Sequence, residues 1–355
     1  MFSFFTRKGP FQANIAPSMA TIEVAAGDNL LKAALNSGLA WPHNCRVGSC
    51  GQCRCRLVSG KIKSLSDFSY VLTGEEMDSG IILACQTSLR SDVEIEVLMD
   101  QPATALSKPK TIGGTIANTK SLTHDILEVT IRLDEAIPRY LAGQYAEITV
   151  PGMIDKPRSY SFARAPENEV NEHISFFIRH VPEGEFTSWL HASSRDGQRV
   201  NVTGPYGSFW LRESSAPIIC IAGGSGMAPI KALLEQVSSQ ESKRQVTYMF
   251  GARTQNDLYC LDEMKQIKNL CSEHFNFIPV LSREPEDSDW KGLRGQCIDT
   301  LSAQSIDIAS SHAYLCGPPG MIDNAIEYLT QAGVSKENIF YDKFLDASNI
   351  KGGRV

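Results

Sequence analysis

The 355-residue chain has no run of about 18 apolar residues, so no segment is expected to cross a membrane as a helix. It has no basic excess: 34 Lys and Arg against 40 Asp and Glu leave a net charge of −6. A nucleic-acid partner needs a concentrated basic face, and that class is set aside. Met1-Phe2-Ser3-Phe4-Phe5-Thr6-Arg7-Lys8 puts aromatics ahead of charges with no long apolar stretch after them, which is not the pattern of a secretory signal. Histidine is scarce, at 7, and only His43 lies near a cysteine cluster, which excludes a Rieske centre with its two histidine ligands. Cysteine is plentiful, at 10. Without a secretory signal, that number argues for reduced thiols and metal ligation in a bacterial-type cytoplasm. The 42% hydrophobic and 21% charged residues are ordinary for a chain of two or three globular domains.

The cysteines are not scattered evenly. Cys45-Arg46-Val47-Gly48-Ser49-Cys50-Gly51-Gln52-Cys53 has the spacing C-x4-C-x2-C, and a fourth cysteine follows at Cys85. This is the plant-type [2Fe–2S] pattern, and Cys45, Cys50, Cys53 and Cys85 are the expected metal ligands. Gly48 and Gly51 suit a loop that curls around the cluster, and the small Ser49 lets backbone N–H groups approach sulfur. A structural zinc site fits poorly, because zinc sites pair two short spacings and Cys85 stands alone. Cys55, two residues past the loop, is expected to be a buried strand thiol. Around the loop, Ser18–Val24 reads as a strand and Asn29–Ser37 as a short amphipathic helix capped by Asp28. Arg54–Val58 and Asp92–Leu98 alternate like half-buried strands. Gln101–Lys110 is rich in Pro, Ala and Ser and reads as a linker.

From Thr111 the texture changes to short alternating strands at Thr111–Ile116, Ile126–Leu133, Tyr145–Val150, His173–Arg179 and Arg199–Val202, a pattern that suggests a small antiparallel barrel. Two stretches in it carry chemistry. Arg158-Ser159-Tyr160-Ser161-Phe162 follows Pro157 at a strand start, and Gly184-Glu185-Phe186-Thr187 is a glycine turn leading into a short helix. Read alone, the first could be an ordinary surface-to-core strand segment. From Ala216 the pattern becomes strands alternating with helices. Pro217–Ala222 is a continuous apolar run, as in a parallel strand buried on both faces. It leads into Gly223-Gly224-Ser225-Gly226-Met227-Ala228-Pro229 and a helix, the arrangement that receives a dinucleotide pyrophosphate. The G-x-G-x-x-G fingerprint is absent, which argues against a Rossmann dehydrogenase of the usual type. Further buried strands are expected at Gln245–Gly251, Asn276–Leu281 and His312–Cys316, the last running into Cys316-Gly317-Pro318-Pro319-Gly320-Met321.

In order, these segments resemble the reductase components of bacterial multicomponent oxygenases, within the ferredoxin–NADP reductase superfamily. Leu258–Glu263, Ile278–Ser282 and Tyr314–Pro319 are most similar to the branch serving xylene monooxygenases. The resemblance implies a multi-domain α+β and α/β chain. Its parts are a β-grasp [2Fe–2S] ferredoxin over 1–101, a linker over 102–110, a six-stranded antiparallel FAD-binding barrel over 111–213 and a parallel-sheet NAD-binding domain over 214–355. It assigns Arg158, Ser159, Tyr160, Ser161, Gly184, Glu185, Phe186 and Thr187 to the flavin. It assigns Gly223, Gly224, Ser225, Gly226, Arg253, Asp257, Cys316, Gly317 and Pro318 to the dinucleotide, with Ser161, Cys316 and Phe344 at the reacting centre. Taken alone, Cys316 would read as a buried strand-end thiol. Asp257 favours a free ribose 2′-hydroxyl and Arg253 a phosphate; family members with this domain order mostly use NADH, and so NADH is expected. Ferredoxin-first order implies FAD, whereas relatives with the ferredoxin last use FMN. Electron counting completes the expectation: NADH gives two electrons at once, the cluster takes one, and a flavin can do both. The partner is then a separate terminal oxygenase, soluble or membrane-bound, and the chain a monomer. The alternatives are a non-oxygenase acceptor such as a deoxysugar dehydrase, or a redox-sensing binding protein. Residues 1–100 hold nine Lys and Arg and ten Asp and Glu, so docking is expected locally at the loop rim rather than by bulk charge.

Overall fold

The computed structural model describes residues 9–99, 106–166, 171–240, 242–271 and 274–344. The described residues divide into two compact units, one of those within 9–109 with 206–208, the other of those within 110–205 and 209–344.

The first unit is built on a mixed five-stranded sheet in the order Ala20–Val24, Phe11–Ala16, Val93–Glu96, Arg54–Ser59, Ile81–Leu83. Phe11–Ala16 pairs antiparallel with Ala20–Val24 and parallel with Val93–Glu96. That first strand lies before Ser18–Val24, the earliest strand read from the sequence. Its alternation is clear in the structure, with Phe11, Ala13 and Ile15 facing inward. In sequence the signal is blurred, because two of six positions are alanine. The helix is Leu30–Asn36, and it buries Leu30, Leu31, Ala33, Ala34 and Leu35. Burying three leucines contributes roughly 4.5–9 kcal/mol before entropy is counted. Its cap is Asn29, whose Oδ1 accepts the Lys32 N–H at 2.8 Å, and not Asp28. Asp28 instead pairs with Lys32 at 2.7 Å. Part of the linker expected at 102–110 lies outside the described residues.

The second unit opens with a six-stranded sheet in the order Ile154–Ser161, Tyr145–Val150, Arg199–Tyr206, Lys110–Ser121, Ile126–Ile137, Asn171–Arg179. A bridge between Phe162 and Phe176 joins its two outer strands. Sequence misses the beginning of the strand Ile154–Ser161 and puts the R-S-Y-S motif at a strand start; the motif lies at the strand's end. Its mostly exposed burial pattern explains the miss, since Val/Ile alternation is lacking. The rest of the unit is a parallel sheet in the order Leu293–Arg294, Phe275–Leu281, Val246–Ala252, Ile218–Gly223, His312–Gly317, Ile339–Lys343. Ile218–Gly223 is buried at every position, as its apolar run predicts. The chain leaves that strand in one direction and returns on its other side at His312. The sheet order therefore reverses between Ile218–Gly223 and His312–Gly317, and ligands bind at such a switch point, beyond the carboxyl ends of the strands.

Candidate functional site

The cysteine loop is held by the backbone conformations that its glycines permit. Gly48 and Gly51 have φ of 83° and 71°, and Arg46 joins them at 56°. At both glycines a Cβ would also collide, with Gln86 Cγ at 2.6 Å and with Arg54 Nη1 at 2.3 Å. The curl aims the N–H groups of Ser49 and Cys50 at Cys45 Sγ, at 3.4 and 3.3 Å. Cys85 sits on the short turn Ala84–Gln86, and Ala84 N–H donates to Cys53 O at 3.1 Å. The sulfurs form two pairs: Cys45 is hydrogen-bonded to Cys50, and Cys53 lies 3.3 Å from Cys85. Two pairs of thiols suit a two-iron cluster with its four cysteine ligands. Cys55 is a buried strand thiol, as expected. Sequence reasoning missed Arg54. It donates to Gly51 O at 2.9 Å and Val71 O at 3.0 Å, and its Nε lies 3.2 Å from Glu76.

On the barrel, Arg158 turns back on its own strand, donating to Lys156 O at 3.1 Å and Pro157 O at 3.3 Å, with Glu185 at 3.8 Å. The half-buried Tyr160 ring stands 5.5 Å from Phe186, and desolvation pushes its phenol above its usual range. Ser159 is exposed. Ser161 is buried, and its hydroxyl has no hydrogen-bond partner among the described residues. Such a hydroxyl suits a bound group. Gly184 caps the helix Glu185–Ala192 and leaves free N–H groups in its first turn. A Cβ at Gly184 would lie 2.7 Å from Thr187 Oγ1 and 2.9 Å from Val181 O, so only glycine fits the turn. Thr187 uses its hydroxyl to close that turn, donating to Val181 O and accepting Val181 N–H, both at 3.1 Å.

The glycine turn Gly223–Gly226 closes against the opposite side of the switch point. A Cβ on Gly226 would stand 2.2 Å from Cys316 O, and one on Gly317, at φ 144°, 2.9 Å from Gly223 O. Ser225 lies in this turn, and the helix Met227–Ser239 follows it. Cys316 is fully buried, and desolvation keeps its thiol protonated far above the ordinary range. Phe344 N–H donates to Gly317 O at 2.9 Å, which ties the chain's last described residue to the C-G-P-P turn. Beside the turn lies a cavity of about 190 Å³ lined by Gly223, Gly224, Pro318, Arg253 and Asp257. Arg179 and Asp125 reach the same cavity from the barrel, where they pair at 3.0 Å; sequence reasoning assigned neither. Among the described residues the Arg253 side chain has no hydrogen-bond or ion-pair partner. Asp257 Oδ2 accepts Thr254 N–H at 2.8 Å and Thr254 Oγ1 at 3.1 Å, and Oδ1 lies 3.5 Å from His124 Nδ1. Two guanidinium groups and a glycine-lined turn suit a dinucleotide diphosphate.

Residues 13–90 match a 2Fe-2S iron-sulfur cluster binding domain, 114–210 an oxidoreductase FAD-binding domain, and 220–327 an oxidoreductase NAD-binding domain. The chain is 39% identical to the xylene/toluene monooxygenase electron transfer component XylA of Pseudomonas putida, over 91% of this chain and 90% of that one. It is 32% identical to the phenol 2-monooxygenase reductase component DmpP of Pseudomonas sp. (strain CF600), over 96% of each. Among solved structures it resembles the Amycolatopsis cytochrome P450 reductase GcoB, with TM-score 0.83 and 29% identity over 95% of this chain and 99% of that one. It also resembles the ferredoxin reductase of carbazole 1,9a-dioxygenase, with TM-score 0.73 and 27% identity over 94% and 98%. The expected likeness to the xylene monooxygenase branch is borne out, and so are the three cofactor domains and their order. The chain belongs to the family of iron–sulfur flavoprotein reductases that serve as electron-transfer components of oxygenases.

Proposed function

We propose that this protein is an NADH-dependent reductase that passes electrons from NADH through FAD and a [2Fe–2S] cluster to a separate terminal oxygenase acting on aromatic or alkyl substrates. The observation that carries the reading is the run of cluster, FAD and NAD domain matches in that order along one chain. When bound, the dinucleotide and flavin supply two-electron hydride chemistry and the cluster one-electron exchange. Everything else is the work of this chain's side chains and backbone.

Arg158 and the N–H groups following Gly184 hold the flavin pyrophosphate; for Arg158 this means leaving its carbonyl contacts and Glu185 for a charged ligand. Tyr160 and Phe186 supply an apolar wall for the ring, and Ser161 offers its unused hydroxyl to the ring edge. Gly223, Gly224, Ser225 and Gly226 cradle the dinucleotide diphosphate, and Arg179 and Arg253 neutralise it from two sides of the cavity. Asp257 receives the ribose through the carboxylate oxygen not committed to its own cap, which favours NADH over a 2′-phosphorylated dinucleotide. Cys316 and Gly317 shape the nicotinamide end as a neutral, water-poor surface, with Pro318 beside them, and Phe344, tied to Gly317, would offer its ring to the flavin. Domain limits of 1–101, 111–213 and 214–355 with a linker at 102–110 accommodate the three matched ranges. Ten free cysteines accord with a reducing cytoplasm. Among the described residues no helix is long and apolar enough to cross a membrane.

The test uses Cys50→Ser. It should abolish NADH-dependent reduction of cytochrome c and leave NADH-dependent ferricyanide reduction largely intact, because ferricyanide takes electrons upstream of the cluster. Equal loss of both activities would contradict the order of electron flow.

A further inference from the structure

We infer that Lys231 and Glu235 are positioning residues, which set the strand carrying the flavin motif against the helix that begins at the dinucleotide turn. The inference rests on the function proposed above. Both residues lie on the helix Met227–Ser239, four apart and therefore on one face. They form an ion pair, and the Lys231 side chain is only 4% exposed. Lys231 Nζ also donates to Ala163 O at 3.2 Å, and Glu235 Oε2 accepts the Ala165 N–H at 2.8 Å. The pair thus grips one carbonyl and one amide in the segment directly after Arg158–Phe162.

That segment is held from its other side by the barrel itself. Phe162 N–H donates to Gln144 O at 3.0 Å, Ala163 N–H to Ser175 O at 2.8 Å, and Tyr140 Oη–H to Arg164 O at 3.2 Å. Ser161 is two residues before Ala163, and Gly226 is five before Lys231. A short polar strut therefore connects the buried Ser161 hydroxyl to the turn that meets Cys316. Packing alone does not call for this arrangement. Removing the lysine of such a pair from water is expensive, even with Glu235 left 29% exposed, and apolar residues of similar volume often stabilise a protein as well or better. What two apolar side chains lack is direction. Two polar contacts to fixed backbone atoms, tied together by the ion pair, define a distance and an angle, and transfer between two bound rings depends steeply on both.

The holoenzyme carries the test, with Lys231→Met and Glu235→Gln. Flavin and cluster content and the Kd for NADH should stay within about threefold of wild type. The single-turnover rate of flavin bleaching by NADH should fall about tenfold or more in Lys231→Met. Glu235→Gln keeps an acceptor for the Ala165 amide and should fall less. The isotope effect with NADH deuterated at the transferred position should rise, because transfer becomes more fully rate-limiting. Hydrogen exchange at Ala165 should quicken in Lys231→Met, independently of turnover. Bleaching rates within twofold of wild type in both variants overturn the inference, even if exchange quickens, because the pair is then only a clamp. If Lys231→Met does not fold, Glu235→Gln decides by the same criteria. A wild-type flavin that NADH does not bleach defeats the functional reading and the positioning role with it. Unchanged rates in variants of an active wild type defeat the positioning role alone.

Discussion

At the scale of single residues, the site depends on places where a side chain has been left out. Gly226 is the sharpest case, because a methyl group there would stand 2.2 Å from the carbonyl oxygen of Cys316 and 2.6 Å from its carbon. Both are backbone atoms, so no side chain can swing aside. Gly224 differs: its φ is 55°, but a Cβ there meets nothing within 4 Å. Gly226→Ala is therefore expected to cut kcat/KM for NADH at least tenfold and to lower stability by about 1–3 kcal/mol, the usual cost of overpacking. Gly224→Ala should be milder on both counts. Steady-state kinetics and thermal melts of the two variants, side by side, check this, and equal damage from both would refute it.

At the scale of elements, the cysteine loop does not stand on its own backbone. Arg54 connects it to the segment around Val71 and Glu76 by three polar contacts. Thr73 and Glu76 form a capping box at the start of the helix Gly74–Asp78, so the far end of the staple is itself anchored. Arg54→Leu keeps the bulk and removes every one of these contacts. The visible absorbance of the cluster should then decay several-fold faster in air, while the flavin spectrum keeps its wild-type lifetime. A cluster lifetime equal to wild type would show that the staple is dispensable. The loop's spacing was legible because it is chain-local. Arg54 was not, because its partners lie up to 22 residues away on a segment with no strong pattern of its own.

At the scale of the whole molecule, acid sensitivity has a traceable source in the second unit. His191 and His312 are both held below the ordinary histidine value of 6.5, first by desolvation and, for His312, also by the charges of Arg244 and Arg212. A depressed histidine binds fewer protons folded than unfolded. Stability from these two sites is therefore complete above pH 6.5 and is lost progressively as pH falls below it. Urea midpoints of this unit should drop between pH 7.5 and pH 5.5. The doubly substituted His191→Asn, His312→Asn protein should show a shallower drop, and an unchanged slope would place the acid sensitivity elsewhere.

The amino-acid sequence by itself determined the cysteine loop, the R-S-Y-S strand, the glycine turn and C-G-P-P, with the fold class that contains them. Each of these is a short stretch whose spacing and glycine content reflect the backbone shape that its chemistry needs, and such information is local. It could not disclose the strand Phe11–Ala16, whose alternation includes two alanines, or that the R-S-Y-S strand begins as early as Ile154, because that edge strand lies mostly exposed. Nor could it bring Arg179 to the cavity lined by Gly223 and Arg253, or Lys231 and Glu235 to the backbone of Ala163 and Ala165. Those meetings join residues 44 to 74 positions apart. Only strand order and helix packing bring such residues together, so they were decided by the tertiary structure.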